Sequence, residues 1–497
     1  MIRKVRTILA AVLFVLITLL FLDFTGTLHH WLSWLAQIQF LPAVMALNVI
    51  VVVALLMLTL LFGRIYCSII CPLGIFQDIL ARLRRKKNKY SYSKEVIWLR
   101  YPMLAVFILA GIAGVGSVFQ LLAPYSSYGR IATMIFQPLW KMGNNLLATL
   151  AERADSYAFY SVDTWMRSMP VFIIAATTLV LLVVLAWRGG RTYCNTICPV
   201  GTILSFFARF SWFKIRFNVD KCKNCSLCSK NCKAACIDYK THSIDYTRCV
   251  VCGNCMDQCK FGALEYTIKS GITSKANKSV KTNATSPIDA SKRSFLLASA
   301  LVSTAAMAQK KEKLMDGGLA EIEDKVVPER QTPLTPPGSL SFQNLATRCT
   351  GCQLCVSECP NQVLRPSSDL MHLMQPTMSY EHGYCRPECT RCSEVCPAGA
   401  IQTIDKEEKT AIQIGHAVWI KKNCVPITDG VECGNCARHC PSGAIEMVPL
   451  DENDEESPMV PAINEAACIG CGACEYVCPS RPFSAIYVEG HEVHKKI

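Results

Sequence analysis

Residues 222–232 read CKNCSLCSKNC, and residues 249–259 repeat the same spacing as CVVCGNCMDQC. Each run is a CxxCxxCxxxC motif, which is typical of bacterial ferredoxins that hold two [4Fe–4S] clusters. A tight CxxCxxC loop reaches three iron corners of a cluster, so the fourth cysteine of each run ligates the other cluster. The spacing predicts two ligand sets. They are Cys222, Cys225, Cys228 and Cys259 for one cluster, and Cys249, Cys252, Cys255 and Cys232 for the other.

Two features of these runs depart from the usual ferredoxin pattern. Lys233 and Lys260 stand where a proline commonly follows the fourth cysteine, and Cys236 is surplus to both sets. Cys236 is an alternative to Cys232 as a ligand, but we predict that it is a buried free thiol. Zinc sites use separated CxxC pairs rather than a triplet followed by one cysteine, so the pattern favours iron over zinc.

Four more four-cysteine sets follow residue 348. The first and last have the regular CxxCxxCxxxCP spacing, whereas the middle two have a longer first gap and are followed by PAGAI and PSGAI. Those segments predict the short returning strand of a ferredoxin-like α+β fold. The sets are Cys349, Cys352, Cys355 and Cys359; Cys385, Cys389, Cys392 and Cys396; Cys424, Cys433, Cys436 and Cys440; and Cys468, Cys471, Cys474 and Cys478.

Because similar runs tend to pair, we expect the outer two sets (the first and the last) to share ligands and the middle two to do the same. The alternative pairs the first set with the second and the third with the fourth. In total, six sets predict six [4Fe–4S] clusters.

Composition separates this chain from the disulfide-rich and nucleic-acid-binding classes. Disulfide frameworks suit small secreted domains with irregular cysteine spacing, whereas 24 of the 29 cysteines here fall into repeated ligand motifs. Hydrophobic residues make up 51% of the chain and are concentrated before residue 190, while most cysteines follow it. The formal charge is +13, but its densest run lies beside an apolar segment, where membrane orientation explains it without a nucleic-acid partner.

Four apolar runs are long enough to predict membrane spans, at 8–24, 41–62, 102–122 and 171–187, since a span needs about 20 helical residues. Basic residues precede the first run, and residues 82–100 of the loop after the second run carry many lysines and arginines against the single acid Glu95. By the positive-inside rule, the N-terminus, that loop and the segment after the fourth span are cytoplasmic. The sequence thus predicts a multi-pass α-helical domain in a bacterial inner (cytoplasmic) membrane.

One twelve-residue motif occurs twice in this half. Residues 63–74 read GRIYCSIICPLG and residues 190–201 read GRTYCNTICPVG, each at the predicted cytoplasmic end of an even-numbered span. Cysteines four residues apart share one face of a helical turn, so the two CxxxCP turns can face each other there. The four cysteines are Cys67, Cys71, Cys194 and Cys198. They predict a further cofactor-binding or redox site, a seventh centre, and three occupants stay open: an iron–sulfur centre, a copper ion or a dithiol pair. The simpler alternative is four small buried hydrophobic residues.

The segment between the cluster regions has two parts. Residues 271–292 are rich in polar and small residues, which predicts a flexible linker. Residues 291–297, SKRSFLL, begin a short apolar stretch that ends in AMA at 306–308 and looks like a twin-arginine export signal with Lys292 in place of the first arginine. We predict retention as a fifth span rather than cleavage; the alternative is a plain linker helix.

The predicted domains are 1–215, the membrane domain with both CxxxCP motifs; 216–270, a cytoplasmic two-cluster ferredoxin domain; 271–309, the linker and signal or anchor; and 310–497, a four-cluster ferredoxin domain.

On these motifs the chain resembles a fusion of two iron–sulfur proteins of periplasmic nitrate respiration. The part before residue 265 resembles NapH, with four spans, two CxxxCP motifs and two cluster sets, and the part from about residue 291 resembles NapG of the MauM/NapG family. The membrane half is also similar to NosR and CcoG. The resemblance implies quinol oxidation at the membrane and electron transfer outward to a periplasmic acceptor.

We therefore expect an electron-transfer subunit of a quinol dehydrogenase-type complex of anaerobic respiration rather than a stand-alone enzyme, with no catalytic residues of the usual kind. Its partners would be the membrane quinone pool and a periplasmic reductase or cytochrome, and the four-cluster domain would be periplasmic. His29, His30 and Trp31 are the candidates for a quinone site. The alternative function is a metal-centre assembly or regulatory redox factor similar to CcoG or NosR, in which the four CxxxCP cysteines handle copper or thiol redox. A third hypothesis keeps the four-cluster domain in the cytoplasm with a soluble electron donor.

Overall fold

The computed structural model of the chain describes residues 2–84, 90–164, 166–268, 323–451, 453 and 457–497, together with the backbone of two short strands at 315–316 and 320–321. The predicted linker and the signal-like segment, and with it the fifth span, lie outside the described residues.

Among the residues that the structure describes, two helices, both in the N-terminal half, are long and apolar enough to cross a membrane: α1 (Ile2–Leu22) and α12 (Met169–Gly189), each of 21 residues. They correspond to the predicted first and fourth spans. The helices of this half are α1 (Ile2–Leu22), α2 (His29–Leu32), α3 (Trp34–Gln37), α4 (Phe40–Met45), α5 (Val49–Phe62), α6 (Tyr66–Ile69), α7 (Pro72–Leu83), α8 (Ile97–Ile112), α9 (Gly116–Leu122), α10 (Pro124–Ile131), a π-helical turn (Ala132–Phe136), α11 (Gln137–Glu152), α12 (Met169–Gly189), α13 (Thr192–Thr196) and α14 (Pro199–Ala208).

The predicted second and third spans are not single helices. Between α4 and α5, Leu47 takes a positive φ of 54°, and the side chain of Asn48 accepts the backbone N–H of Val51 to cap α5. Between α8 and α9, Gly114 takes a φ of 71°. Each apolar run therefore forms a longer and a shorter helix, because a residue with positive φ interrupts the helical hydrogen bonds.

The region that follows the third apolar run is also helical. Helix α10, the π turn and α11 follow one another from Pro124 to Glu152, and every residue of α10 is buried. Helix α10 packs between α7 and α12. This segment therefore belongs to the core of the N-terminal half.

The cluster-binding regions consist of short helices and two-stranded antiparallel sheets, as the ferredoxin-like α+β prediction requires. Strand β1 (Phe213–Phe217) pairs with β4 (Leu264–Ile268) and frames the two-cluster region, so β1 crosses the predicted boundary at residue 215. The other elements up to residue 268 are α15 (Leu227–Lys230), β2 (Ile237–Asp238), β3 (Ser243–Ile244) and α16 (Asn254–Gln258).

The C-terminal region has the same kind of architecture. Strand β9 pairs with β12, β10 with β11, β7 with β8 and β5 with β6. The elements are β5 (Met315–Asp316), β6 (Ala320–Glu321), α17 (Phe342–Arg348), α18 (Leu354–Glu358), β7 (Leu364–Pro366), β8 (Pro376–Met378), α19 (Arg391–Glu394), α20 (Lys406–Thr410), β9 (Ile412–Trp419), a 3-10 turn (Lys421–Asn423), α21 (Val425–Thr428), α22 (Asn435–Arg438), β10 (Ile445–Pro449), β11 (Met459–Ile463), α23 (Ala473–Val477) and β12 (Ile486–Lys496).

The two cluster-binding regions contact opposite ends of α1. At the N-terminal end, Arg3 Nη1 lies 2.6 Å from Asp257 Oδ2 of the two-cluster region. Beyond the C-terminal end, His29 Nδ1 lies 2.7 Å from Glu358 Oε1 of the four-cluster region. A helix of 21 residues is about 30 Å long, because each residue adds about 1.5 Å. The helix therefore separates the two regions by about the thickness of a hydrocarbon core.

Candidate metal centres

The two-cluster region brings its cysteines together in the predicted crossed arrangement. Two separate cavities are lined by the two expected sets. The sets are Cys222, Cys225, Cys228 and Cys259 in one cavity, and Cys249, Cys252, Cys255 and Cys232 in the other. Left-handed residues at Asn224, Ser226, Val251 and Gly253 turn each CxxCxxC loop around its cavity.

The surplus thiol of Cys236 lies in the second of these cavities. Its sulfur is 3.5 Å from the sulfur of Cys232, and its side chain is fully buried, as predicted. The hydrogen bond from Cys236 lowers the pKa of Cys232 to about 7. A neutral thiol in this position can donate to a ligand thiolate, which stabilises the thiolate form.

The four sets after residue 348 pair differently from our expectation. Cys396 joins the first triplet in one cavity, and Cys359 joins Cys385, Cys389 and Cys392 in another. In the same way, Cys478 lines a cavity with Cys424, Cys433 and Cys436. Burial raises the pKa of Cys468, and nearby Cys440 adds to the rise, which places Cys440 beside the last triplet.

The expected pairing of outer with outer and middle with middle is therefore wrong, and the alternative is right. Neighbouring sets pair because the β7–β8 hairpin returns the chain between the first and second sets. Each pair combines one set with regular CxxCxxCxxxC spacing and one set with a longer first gap. Similar spacing thus describes how a loop wraps its own triplet and carries no information about the partner set.

The four CxxxCP cysteines also come together, at the ends of paired short helices. Cys67 lies in α6 and Cys194 in α13, while Cys71 and Cys198 are the N-cap residues of α7 and α14. All four are 3–4% exposed. We call these four residues the thiol quartet.

The two motifs hold each other through their arginines. Arg191 Nη1 donates to the carbonyl oxygen of Cys67 at 2.7 Å, and Arg64 Nη2 donates to the carbonyl oxygen of Cys194 at 3.1 Å. The same relationship thus runs in both directions between the copies. The duplicated GRxYCxxxCPxG sequence therefore folds into a pseudo-twofold pair. The arginine of each copy hydrogen-bonds to the backbone of the other copy.

The glycine that ends each motif is required by close approach. A Cβ on Gly74 would lie 2.3 Å from the carbonyl oxygen of Cys67, and one on Gly201 would lie 2.3 Å from the carbonyl oxygen of Cys194. Only glycine lets the second helix of each motif pack directly on the backbone beside the first cysteine.

A buried carboxylate joins the quartet to the two-cluster region. Asp78 lies 2.8 Å from Arg191, 3.2 Å from Arg6 and 3.2 Å from Lys233. Burial opposes the charged form of Asp78, but the three cations outweigh it and lower the pKa of the carboxyl. Lys233 follows the cluster cysteine Cys232, so its replacement of the usual proline supplies one of these cations. Sequence reasoning noticed Lys233 but did not find Asp78.

A second polar cluster lies where the four-cluster region meets the N-terminal half. Asp23, His29 and Glu358 are all buried, and one ligand-type atom from each lies within 4.8 Å of the others. Asp23 also accepts the backbone N–H groups of Thr25, Gly26 and Leu28, which fixes the turn after α1.

The other two quinone-site candidates lie apart from this cluster. His30 and Trp31 are exposed, whereas His29 contacts both carboxylates.

Among the residues that the structure describes, no cysteine set has three sulfurs as close together as a single tetrahedral ion requires. A tetrahedral zinc ion with bonds of about 2.3 Å draws its sulfurs to within about 4 Å of one another. Across the part of the chain that the structure describes, Asp23, His29 and Glu358 form the only group of three or more such ligand atoms within 4.8 Å of one another, so no three cysteine sulfurs meet that spacing.

Three family models match the chain, and all describe iron–sulfur domains. A 4Fe-4S binding domain matches residues 44–90 and 169–219, which contain the two CxxxCP motifs. A 4Fe-4S dicluster domain matches residues 348–400 and 431–481, and another 4Fe-4S dicluster domain matches residues 245–363. No solved structure matches the chain.

Several curated proteins are similar to parts of the chain. The ferredoxin-type protein MauM of Paracoccus denitrificans is 30% identical over 32% of this chain and 73% of its own length. The ferredoxin-type protein NapG of Escherichia coli K12 is 28% identical over 33% of this chain and 75% of its own length.

Two further relatives match less of their own length. The protein YccM of Escherichia coli K12, whose name assigns it to electron transport, is 23% identical over 44% of this chain, which spans about half (55%) of YccM. The regulatory protein NosR of Pseudomonas aeruginosa is 26% identical over 39% of this chain and 24% of NosR. The resemblances to NapG and NosR that the motifs indicated are confirmed.

Proposed function

Because the chain belongs to the MauM/NapG family of ferredoxin-type proteins, we propose that it conducts electrons across a membrane, from quinol to a periplasmic reductase or cytochrome. It would act as the electron-transfer subunit of a quinol dehydrogenase-type complex. The observation that carries the proposal is the contact of the two cluster-binding regions with opposite ends of α1.

The surface of the N-terminal half supports insertion in a membrane. Large apolar side chains are exposed on four helices, which water would disfavour and lipid would accept. They include Ile8, Leu9, Val12 and Val15 on α1; Ile50, Val53 and Met57 on α5; Ile108, Leu109 and Ile112 on α8; and Ile173, Val180 and Leu181 on α12. The broken α4–α5 and α8–α9 pairs would complete four membrane segments, with their backbone breaks inside the protein or at the interface.

The positions of exposed tryptophan side chains also support insertion of the N-terminal half in a membrane. Trp31 and Trp34 are exposed in the short helices beyond the C-terminal end of α1. Trp98, Trp187 and Trp212 are exposed near the two-cluster region, where Trp212 N–H bonds to the carbonyl of Leu60. Exposed tryptophans at both ends of a helical domain are typical of the two membrane interfaces. The basic N-terminus would then place the two-cluster region in the cytoplasm and the four-cluster region outside.

The cysteines account for the electron path. A bound [4Fe–4S] cluster is a one-electron carrier whose chemistry belongs to the cofactor. The chain supplies six four-cysteine sets, crossed in pairs, and most of these cysteines are partly or fully shielded from solvent. Burial and hydrogen bonds to sulfur adjust the reduction potential of each set.

Anaerobic titration of the purified full chain with a water-soluble quinol analogue tests the function. Absorbance and EPR follow the clusters, and the expected result is reduction of at least part of them by quinol. Absence of any reduction, with all six clusters reducible by dithionite, would contradict the quinol assignment.

The second candidate function is metal-centre assembly or regulation. The thiol quartet and the similarity to the regulatory protein NosR support this candidate. Reduction of Cu(II) that depends on Cys67, Cys71, Cys194 and Cys198, together with clusters that do not respond to quinol, would favour it.

A further inference from the structure

We propose that Lys233 and Cys236 raise the reduction potential of one cluster of the two-cluster region above that of its neighbour. The ligands of the first of these clusters are called the junction set: Cys232, Cys249, Cys252 and Cys255. The ligands in the other cavity are called the distal set: Cys222, Cys225, Cys228 and Cys259. The proposal rests on the electron-conducting function proposed above, and it states which of the two clusters holds the electron that is exchanged with the N-terminal half.

The junction set lies next to the two CxxxCP motifs. Lys233 follows a junction-set ligand, and its carbonyl oxygen accepts the backbone N–H of Arg191 at 2.9 Å. Arg64 Nη1 donates to the carbonyl oxygen of Thr247 at 2.9 Å, two residues before another junction-set ligand. Both motifs therefore contact segments that carry ligands of this set. An electron that prefers the junction set is held beside the N-terminal half.

Lys233 belongs to a buried group of side chains with excess positive charge. It is 5% exposed, and its Nζ lies 3.2 Å from Asp78 Oδ2. Asp78 is shared with Arg6 and Arg191, so this group has one carboxylate for three cations. Burial raises the pKa of the Cys252 thiol, whereas the ammonium group of Lys233 lowers it, so the lysine acts on a junction-set sulfur. Because a cluster gains negative charge when it is reduced, excess positive charge in a medium of low dielectric raises its potential.

Cys236 supplies the junction set with one more hydrogen-bond donor than the equivalent residue supplies to the distal set. The fourth residue after Cys232 is Cys236, and the fourth residue after Cys259 is Ala263. The backbone N–H of this residue donates to the ligand sulfur in both cases. The thiol of Cys236, 3.5 Å from Cys232 Sγ, is an additional donor, because a ligand thiolate can only accept. Hydrogen bonds to cluster sulfurs favour the more negative reduced form and so raise the potential.

Burial acts in the opposite direction. Cys232, Cys252 and Cys255 are buried, whereas Cys225 of the distal set is exposed. Because burial disfavours the more negative reduced form, burial by itself would give the junction set the lower potential. Lys260, which stands in the distal set where Lys233 stands in the junction set, is exposed, so water and salt screen its charge. The buried cation and the additional donor therefore reverse the order that burial alone would give.

Potentiometric titration of the anaerobically purified full chain, followed by EPR, tests the order of the two potentials. The junction-set signal is identified by its loss in Cys252→Ala, and the distal-set signal by its loss in Cys225→Ala. In the wild type the junction set should have the higher midpoint potential. We expect at least a tenfold preference of the electron for this set, which corresponds to about 59 mV for a one-electron step.

Two variants remove the two proposed causes separately. Lys233→Met removes the buried cation, and Cys236→Ala places at this position the residue that the distal set has. Each should lower the junction-set midpoint and leave the distal-set midpoint unchanged, with the iron content of the wild type. Lys260→Met removes the exposed lysine and is the matched control, in which both midpoints should stay unchanged. Lys233→Arg keeps the charge and should keep the wild-type order.

A wild-type junction-set midpoint at or below the distal-set midpoint overturns the proposal, whether or not Lys233→Met folds. Equal shifts in Lys233→Met and Lys260→Met also overturn it. The expected order of midpoints in clusters that quinol does not reduce removes only the quinol donor. Reduction by quinol with the midpoints in the reverse order removes only the roles of Lys233 and Cys236.

Discussion

His29 Nδ1 lies 2.7 Å from Glu358 Oε1, and this contact joins the turn after α1 to the residue that precedes cluster cysteine Cys359. Asp23 Oδ2 lies 3.5 Å from the same ring nitrogen. A buried imidazole that contacts two carboxylates thus connects the four-cluster region to the N-terminal half.

This contact predicts that the attachment weakens as pH rises. Burial disfavours the charged imidazole, but Asp23 and Glu358 outweigh burial and raise the pKa of His29. A raised pKa in the folded state contributes stability that is fully present below the unfolded-state pKa of about 6.5 and is lost as pH rises through the folded-state pKa. Burial also raises the pKa of Glu358, which acts in the same direction. The thermal midpoint for loss of cluster absorbance should fall between pH 6 and pH 9.

Substitution at His29 should remove that pH dependence. His29→Gln loses the charged contacts with Asp23 and Glu358, so its midpoint at pH 6 should fall below that of the wild type. His30→Gln, at the exposed neighbouring position, is the control and should behave like the wild type. Equal pH profiles for all three proteins would refute this account of the attachment.

Asp78→Asn should strongly destabilise the contact between the N-terminal half and the two-cluster region. The change leaves Arg6, Arg191 and Lys233 buried without their shared counter-ion, and such losses cost about 3–5 kcal/mol. Asp257→Asn breaks the half-exposed pair with Arg3 and should cost at most about 1 kcal/mol. Denaturant unfolding in detergent measures both. A loss for Asp78→Asn no larger than for Asp257→Asn would argue against the buried network.

The pairing of the first set with the second can be tested by counting iron in two single variants and their combination. Cys349→Ala and Cys396→Ala should each remove the same cluster, so the double variant should lose about four iron atoms and not eight. A loss of about eight in the double variant would mean that the two cysteines belong to different clusters.

Glycine at the end of each CxxxCP motif should resist substitution. Gly201→Ala would place a Cβ against the carbonyl oxygen of Cys194, so the helix must move away from the quartet and the folded yield should fall. Gly143→Ala is the matched control, because that helical glycine is exposed and has open space around its Cβ. It should be neutral or stabilise the chain by up to about 1 kcal/mol. Comparable yields of the two variants would count against the close approach.

Three features could be predicted from local spacing. They are the cluster motifs, the exchange of Cys232 and Cys259 between the two ligand sets, and the close approach of the two CxxxCP motifs. Those features depend on residues close in sequence or on a visible duplication. Pairing of Cys359 with Cys385 depends instead on the hairpin between the sets, which spacing does not report.

The broken spans and the charge networks were missed for a related reason. Leu47 and Gly114 interrupt runs whose hydropathy is continuous, because hydropathy reports composition and not φ. Asp78, Arg64 and Glu358 acquire their roles only when distant segments meet, with Arg64 reaching Thr247 and Glu358 reaching His29. No periodicity of the sequence marks such partners.

Electron transfer across liposomes tests the central claim most directly. The purified full chain is inserted in liposomes that contain trapped ferricyanide, and dithionite is added outside under anaerobic conditions. The account predicts reduction of the trapped ferricyanide much faster than in empty liposomes, and loss of that activity in Cys352→Ser, which removes an outer-set ligand. A rate equal to that of empty liposomes, with the externally facing clusters fully reduced, would contradict it.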